Sequence, residues 1–105
     1  MKTGKMHKFG EVILCEVQYT DTFEIKKRPA LVLFEDKGNI IVLGITSNLN
    51  MEGIPLTKKE GAIKDSIIKL NYIFTISEKM VKKSLFSISE EKKKKVKEEL
   101  ISRIK

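Results

Sequence analysis

The stretch that decides the fold is residues 29–46, PALVLFEDKGNIIVLGIT. Two runs rich in apolar and β-branched residues, 29–34 and 40–46, flank a polar segment, 35–39, that contains Lys-Gly-Asn. β-branched and aromatic residues favour strands, and glycine beside asparagine favours the tight turn of a hairpin. The stretch therefore predicts two antiparallel strands joined by a short turn, the second strand apolar on both faces.

Apolar patterning predicts further strands on either side of this hairpin. Residues 10–18 form a near-continuous apolar run, typical of a buried strand, and residues 19–27 are polar and predict a loop. Later in the chain, strands are predicted at 54–57, 67–76 and 85–88, separated by a loop at 47–53, a polar segment at 58–66 and a helical turn that begins at Ser77.

A helix is predicted at the carboxyl end. Ser89 is a typical N-cap, and Glu90 and Glu91 lie where the positive end of a helix dipole stabilises acidic side chains. Four apolar residues share one helical stripe: Val96, Leu100, Ile101 and Ile104. We expect this stripe to pack on the sheet and the lysines of residues 92–95 to face water.

Together these elements predict a mainly β (α+β) fold, a small SH3-like antiparallel barrel or strongly bent sheet with a C-terminal helix. The 105 residues suit one domain, predicted at 9–105 after a polar tail at 1–8. No run approaches the ~20 apolar residues of a membrane span, and no secretory signal is present. We expect a cytoplasmic protein in which the lone Cys15 is a small buried side chain.

The net charge of +7 favours an anionic partner, such as nucleic acid or a negatively charged protein. Lysine supplies nearly all of this charge, and arginine occurs only at Arg28 and Arg103. A lysine excess also fits a compositional bias or selection for solubility. The charge alone therefore leaves both explanations open.

The residue sets that usually carry catalysis are absent from the sequence. The one histidine, His7, lies in the predicted tail, and Cys15 lies in a predicted core strand. No His/Cys/Asp spacing is typical of a metal site, and the glycines match no nucleotide-binding motif. RNA cleavage by the substrate's own 2′-hydroxyl remains, because it needs mainly alignment and stabilisation of charge on phosphorus.

Two residues could supply that stabilisation. Arg28, immediately before Pro29, carries a planar fork that suits phosphate oxygens. Thr46 ends a predicted strand, and Ser47 and Asn48 follow it with further hydrogen-bonding groups. On the residues alone, a surface ion pair at Arg28 and a turn at Thr-Ser-Asn are the commoner explanations.

Five segments, taken in order, resemble toxins of the MazF/PemK (Kid-type) family. The segments are GEVILCEV (10–17), TDTFEIKKRPALVL (20–33), GITSN (44–48), KDSIIKLNYIFTIS (64–77) and LFSISEEKKKKVKEELISRI (85–104). The resemblance implies the toxin of a type II toxin–antitoxin system, a homodimeric, sequence-selective endoribonuclease that cleaves single-stranded RNA or mRNA without metal or other cofactor. It also implies a cognate antitoxin, and products with a 2′,3′-cyclic phosphate and a 5′-hydroxyl.

The same resemblance implies roles for individual residues. Arg28 matches the arginine of the family's RP motif and Thr46 the threonine of its ITS-like corner, both of which hold the scissile phosphate. Glu24 matches an acidic residue of the preceding loop and could be the general base, although it lies one residue closer to the arginine than in relatives. The expected RNA-binding residues are Lys27, Ser47, Asn48, Lys69 and Asn71.

The late strand departs from the family pattern. Where some members carry a basic residue and an acid two positions apart, this chain has Lys69 and Asn71, so the acid is lost. The R-T-I-D end of that strand is Phe-Thr-Ile-Ser here, residues 74–77, and lacks both charges. Two alternatives therefore stay open: a non-catalytic or degenerate RNA- or protein-binding module, and a protein-targeting toxin of the same fold, as gyrase-directed relatives are.

Overall fold

The computed structural model describes residues 7–18 and 25–104. They form six strands, two short 3-10 turns and one helix, as the sequence predicts for a mainly β chain. The elements are β1 (Glu11–Gln18), β2 (Ile25–Asp36), β3 (Asn39–Thr46), β4 (Ile54–Leu56), β5 (Ser66–Ser77), β6 (Val81–Ser87) and α1 (Glu90–Ile104), with 3-10 turns at Lys58–Glu60 and Glu78–Met80.

The six strands form one curled antiparallel sheet in the order β4-β5-β3-β2-β1-β6. Alternate residues of β1, β2 and β3 enter two separate clusters, because the curled sheet buries both faces. One cluster, which includes Val96 of α1, takes Val12, Leu31 and Leu43. The other takes Ile13, Val32 and Val42. The predicted bent antiparallel sheet with a C-terminal helix is confirmed as a half-barrel.

The predicted hairpin joins β2 to β3 through two residues. Asp36 pairs with Asn39, and the intervening Lys37 and Gly38 have φ angles of 51° and 84°. Two successive positive φ angles are typical of the type I′ turn, whose twist matches that of the flanking strands. The strand thus continues through residues 35 and 36, beyond the predicted end at 34.

The predicted loop at 19–27 is wrong at its end, because β2 begins at Ile25. Lys26 and Lys27 pair with Val17 and Glu16 of β1, so strand pairing overrides the polar sequence. Residues 19–24 lie outside the described part of the chain. Pro29 is consequently inside β2, where the ladder to β3 has not yet begun and a missing N–H is tolerated.

The last strand also differs from its prediction at 85–88. β6 begins at Val81, and its pairing with β1 brings Val81 opposite Cys15. Lys82 and Lys83 are exposed. Because they are charged, the apolar pattern does not predict that the strand begins before residue 85. Charged side chains are common on such edge strands, because they discourage pairing with another chain.

The N-cap and the first half of α1 agree with the sequence. The Ser89 hydroxyl accepts a hydrogen bond of 3.1 Å from the backbone N–H of Lys92, and Val96 is fully buried. The predicted stripe is wrong in the last turn, because Ile101 and Ile104 are 54% and 81% exposed. The helix therefore extends past the part of the sheet that it covers.

Lys92 does not simply face water, as predicted for the lysines of α1. Its ammonium donates a 2.7 Å hydrogen bond to the backbone oxygen of Pro55 and lies 3.2 Å from the carboxylate of Glu60. Burial would raise the pKa of Glu60, but hydrogen bonds from Thr57 and Lys92 lower it overall. These contacts link α1 to β4 and to the 3-10 turn that follows it.

His7 is not part of a free tail. Its backbone N–H donates a 2.8 Å hydrogen bond to Glu35, and its ring Nδ1 lies 3.0 Å from the carboxylate of Glu11. Burial alone would raise the pKa of Glu11, yet hydrogen bonds from Ser84 and His7 and the charge of His7 hold it below its ordinary value. The rest of the predicted tail, residues 1–6, lies outside the described residues.

Cys15 is buried, as predicted, and burial raises the pKa of its thiol to about 11. At about pH 8 only about one thiol in a thousand would be the reactive thiolate. We expect a thiol reagent to leave the native protein unmodified and to label it fully in denaturant. A Cys15→Ser protein serves as the blank, and rapid labelling of the folded protein would contradict the burial.

Candidate functional site

Arg28 and Thr46 lie on neighbouring strands at the same edge of the sheet. β2 and β3 pair at Ala30 and Gly44, and Arg28 and Thr46 lie two residues beyond this pair, just outside the paired part of the two strands. Both residues line one cavity of about 500 Å³. Arg28 is exposed and Thr46 is half-buried. The structure therefore brings together the two residues on which the sequence prediction depends.

The backbone of Arg28 is fixed by contacts with the buried Cys15 of β1. It pairs with Cys15 of β1, whose thiol donates a 3.4 Å hydrogen bond to the Arg28 carbonyl oxygen. Pro29 then restricts the backbone immediately after the arginine. A buried strand thus fixes the base of a long side chain whose guanidinium reaches the surface.

Thr46 is set in a loop fixed by local hydrogen bonds. Its hydroxyl oxygen accepts a 3.1 Å bond from the backbone N–H of Asn48, and the Asn48 side-chain oxygen accepts a 3.0 Å bond from that of Asn50. A hydroxyl has one hydrogen to donate as well as lone pairs to accept. Thr46 can therefore serve the loop and still donate to a phosphate oxygen, whereas Asn48 stabilises the loop.

β5 carries a large bulge opposite Gly44. Leu43 pairs with Ile73 and Ile45 with Ile68, so two steps along β3 correspond to five along β5 and three residues are extra. Bulges re-aim side chains and are frequent beside active sites. Here the bulge places Lys69 and Tyr72 on the wall of the 500 Å³ cavity.

The aromatic wall of this cavity is a feature that the sequence did not reveal. Tyr72 is 54% exposed, and its ring centroid lies 5.8 Å from that of Phe74. The Lys69 ammonium lies 5.2 Å from the centroid of the Tyr72 ring. A Cβ at Gly44 would stand 2.4 Å from the Tyr72 ring, so only glycine allows the ring to come this close. The available signals were the glycine of GIT and the YIF of the late strand, which we interpreted as parts of regular strands.

A second cavity of about 240 Å³ shares Arg28 with the first. Its polar lining includes Lys27, Ser47, Lys64 and Ser66, and Phe86 is among its apolar residues. A third, of about 130 Å³, is lined by Lys69 and Asn71 together with Arg103 and Glu52. Arg28 thus lines two cavities, and each of these two is also lined by lysine.

The predicted site residues accordingly fall into four groups. Arg28, Thr46 and Lys69 share the 500 Å³ cavity; Lys27 and Ser47 line the second, Asn71 lines the third, and Asn48 lies in the loop beside them. Glu24 lies outside the described residues. Its assignment as a base stays a prediction.

Two further findings concern only residues 7–18 and 25–104. None of their helices is long and apolar enough to cross a membrane. No group of three or more His, Cys, Asp or Glu side chains among them could hold a metal ion. The metal independence of the reaction itself stays a prediction.

Comparison with known proteins identifies a family and a fold. A family model described as "PemK-like, MazF-like toxin of type II toxin-antitoxin system" matches residues 8–103. Among solved structures, a chain of the MazE-MazF crystal structure from Deinococcus radiodurans is similar over 96% of this chain and 97% of its own, with a TM-score of 0.76 and 15% identity.

Two mycobacterial structures are also similar. One is described as an endoribonuclease in complex with its cognate antitoxin, from Mycobacterial species (TM-score 0.67, 10% identity, 92% of this chain and 90% of that one). The other is the Mycobacterium tuberculosis toxin MazF-mt6 (TM-score 0.65, 18% identity, 87% and 93%). At these identities the structures show a shared fold, whereas the family rests on the sequence match. The chain belongs to the PemK-like, MazF-like toxins of type II toxin–antitoxin systems.

Proposed function

We propose that this toxin is a metal-independent endoribonuclease that cleaves single-stranded RNA, mRNA included, through attack of the 2′-hydroxyl. The observation that carries the proposal is the meeting of Arg28 and Thr46, from adjacent strands, on one open cavity. An arginine and a hydroxyl that line one cavity suit the binding of a single phosphodiester. Family membership supports the same activity.

In the proposed reaction the 2′-oxygen attacks phosphorus and the bond from phosphorus to the 5′-oxygen breaks. The 2′-hydroxyl proton goes to a base, for which Glu24 is the candidate, and the departing 5′-oxygen takes up a proton. The Arg28 fork donates two parallel hydrogen bonds to the non-bridging oxygens, and Thr46 donates a third. The products are a 2′,3′-cyclic phosphate and a 5′-hydroxyl.

The charge around the site supports a polyanionic substrate. Lys27 and Lys64 line the second cavity and Lys69 the first, so three lysines share these two cavities with Arg28. The chain as a whole carries a net charge of +7. Phosphate contacts from such residues give affinity along a nucleic-acid backbone without reading its sequence.

A cognate antitoxin and a second copy of the toxin belong to the same proposal. The Deinococcus structure is described as MazE-MazF, and one of the two mycobacterial structures as an endoribonuclease in complex with its cognate antitoxin. In this chain, large apolar side chains are exposed in the loop after β3 and in the last turn of α1: Leu49, Met51, Ile101 and Ile104. Such surfaces are typical of protein interfaces.

The direct test is incubation of the purified protein with total RNA in the presence of EDTA. We expect cleavage to persist in the chelator and to leave 5′-hydroxyl ends, which a polynucleotide kinase can label without prior dephosphorylation. A matched oligonucleotide with a 2′-deoxy sugar at the cut site should stay intact. Cleavage that requires added metal, or that proceeds at the deoxy site, would contradict the mechanism.

One observation favours a second candidate, an RNA-binding member of the family that does not cut. Among the described residues that line the 500 Å³ cavity there is no carboxylate and no imidazole. The acid that some members carry on the late strand is Asn71 here. Stable binding of intact RNA in the same incubation would favour this candidate over the nuclease.

RNA binding should weaken steeply as salt concentration rises. If three to four of the cations around Arg28 contact phosphates, affinity should fall roughly 20- to 50-fold between 50 and 200 mM salt, because counterions are released on binding. Lys69→Ala should make the logarithmic slope shallower by about 0.7. Lys83→Ala, which removes an exposed lysine of β6, is the control and should leave the slope unchanged. A salt-independent affinity would argue against phosphate recognition.

A further inference from the structure

Tyr72 is an exposed aromatic side chain that the proposed reaction does not use. It lies on the bulge of β5, is 54% exposed, and lines the same cavity as Arg28 and Thr46. We propose that the Tyr72 ring is a platform on which one unpaired base stacks, beside the phosphodiester held by Arg28 and Thr46. The proposal rests on the proposed function and adds a residue that determines how the substrate is bound.

The ring is held in place before any ligand arrives. It packs over Gly44, where a Cβ would stand 2.4 Å from its edge, and it meets Phe74 edge-on at 65°. The bulge is anchored on one side by Ile68 and on the other by Ile73, each paired with β3. A side chain ordered in this way loses little freedom on binding, so more of the stacking energy appears as affinity.

The combination of groups on the cavity wall favours a nucleotide over an apolar ligand. Single-stranded nucleic acid is generally held by aromatic faces for the bases and cationic side chains for the backbone. Here Tyr72 and Phe74 provide the aromatic groups, and Arg28 and Lys69 provide the cations. The cavity of about 500 Å³ falls within the range of small-molecule sites, roughly 300–1,000 Å³.

Lys69 completes the arrangement. Its ammonium lies 5.2 Å from the centroid of the Tyr72 ring, at a cation–π distance. A cation–π contact at an exposed site is weak compared with a charged hydrogen bond to phosphate. An arriving strand therefore draws Lys69 to its backbone, and the ring becomes available to a base.

The test measures binding without cleavage. Labelled RNA of roughly 12 nucleotides, random in sequence and 2′-fluoro-substituted so that it lacks the attacking hydroxyl, is compared with an abasic strand of the same length and charge. Replacing an aromatic platform by alanine costs about 1–3 kcal/mol per stacked base, so Tyr72→Ala should bind the base-bearing RNA about 5- to 150-fold more weakly. Binding of the abasic strand should not change.

Three further proteins make this result specific. Tyr72→Phe keeps the ring and should bind like the original chain. Gly44→Ala should behave like Tyr72→Ala, because the added Cβ displaces the ring. Phe34→Ala removes an aromatic side chain of β2 that is 55% exposed and should have no effect.

The outcomes separate this proposal from the proposed function. If the original protein binds the base-bearing RNA and Tyr72→Ala binds it equally well, the platform is wrong while the RNA site stands. If the original protein binds neither strand, the proposed function itself fails. If Tyr72→Ala changes the oligomeric state in sedimentation, the ring is an interface residue and the stacking role is overturned.

Discussion

Arg28→Ala should slow RNA cleavage by about 10³- to 10⁵-fold, the range for arginines that neutralise charge on a phosphoryl group during transfer. The residue is exposed and lines the 500 Å³ cavity, whereas its backbone is fixed by pairing with Cys15. Removing the guanidinium therefore takes away phosphate contacts and leaves the sheet intact. Initial rates on a single cleavable oligonucleotide measure the effect, and thermal unfolding checks the fold.

Two variants make the result interpretable. Arg28→Lys keeps the charge but loses the planar fork, so it should restore only part of the rate. Arg103→Ala removes the chain's other arginine, which lies on α1 and lines neighbouring cavities rather than the 500 Å³ cavity. It should retain most of the activity. Unchanged cleavage by Arg28→Ala would remove the central assignment.

Thr46→Ala should lower the cleavage rate by about 10- to 1000-fold, the scale for loss of one donor to a charge that develops in the transition state. Thr46→Ser keeps the hydroxyl and should stay close to the original rate. The variant Thr75→Ala is a matched control, because this threonine is also on a strand but is exposed on β5 away from the three cavities that hold the predicted residues.

The Thr46 hydroxyl also holds its own loop, through the N–H of Asn48. Asn48→Ala separates the two roles, since it breaks the bond to Asn50 and leaves Thr46 untouched. If loop order alone mattered, both alanine variants would slow cleavage equally. A much larger loss for Thr46→Ala indicates a direct phosphate contact.

Apolar patterning predicted most of the fold because burial of both sheet faces leaves long apolar runs in β1, β2 and β3. Apolar patterning did not predict the bounds of a strand where strand pairing, rather than burial of side chains, determines where the strand begins. β6 begins among exposed lysines, and its position depends on the edge of β1. The stripe on α1 was wrong in its last turn for a related reason: helical spacing shows which residues share a face, not how far the sheet extends beneath them.

The site was predicted in part. The resemblance of two short motifs predicts Arg28 and Thr46 as site residues, and the structure places these two residues, 18 positions apart in sequence, on one cavity. The position of Tyr72 on the cavity was not predicted, because a strand pattern assumes regular pairing. The hydropathy of the sequence does not show the three extra residues of the β5 bulge. The contribution of Gly44 likewise depends on a ring that is distant in sequence.

The displaced register of β5 has a consequence for how such a toxin can diversify. The paired residues on either side, Ile68 and Ile73, fix the strand, while Lys69, Asn71 and Tyr72 between them face the cavities. Under the proposed function, exchanges at these three positions should change which RNA the surface binds, while the pairs at Ile68 and Ile73 stay in place. We therefore expect a library randomised at these positions to yield altered target preference at little cost to folding.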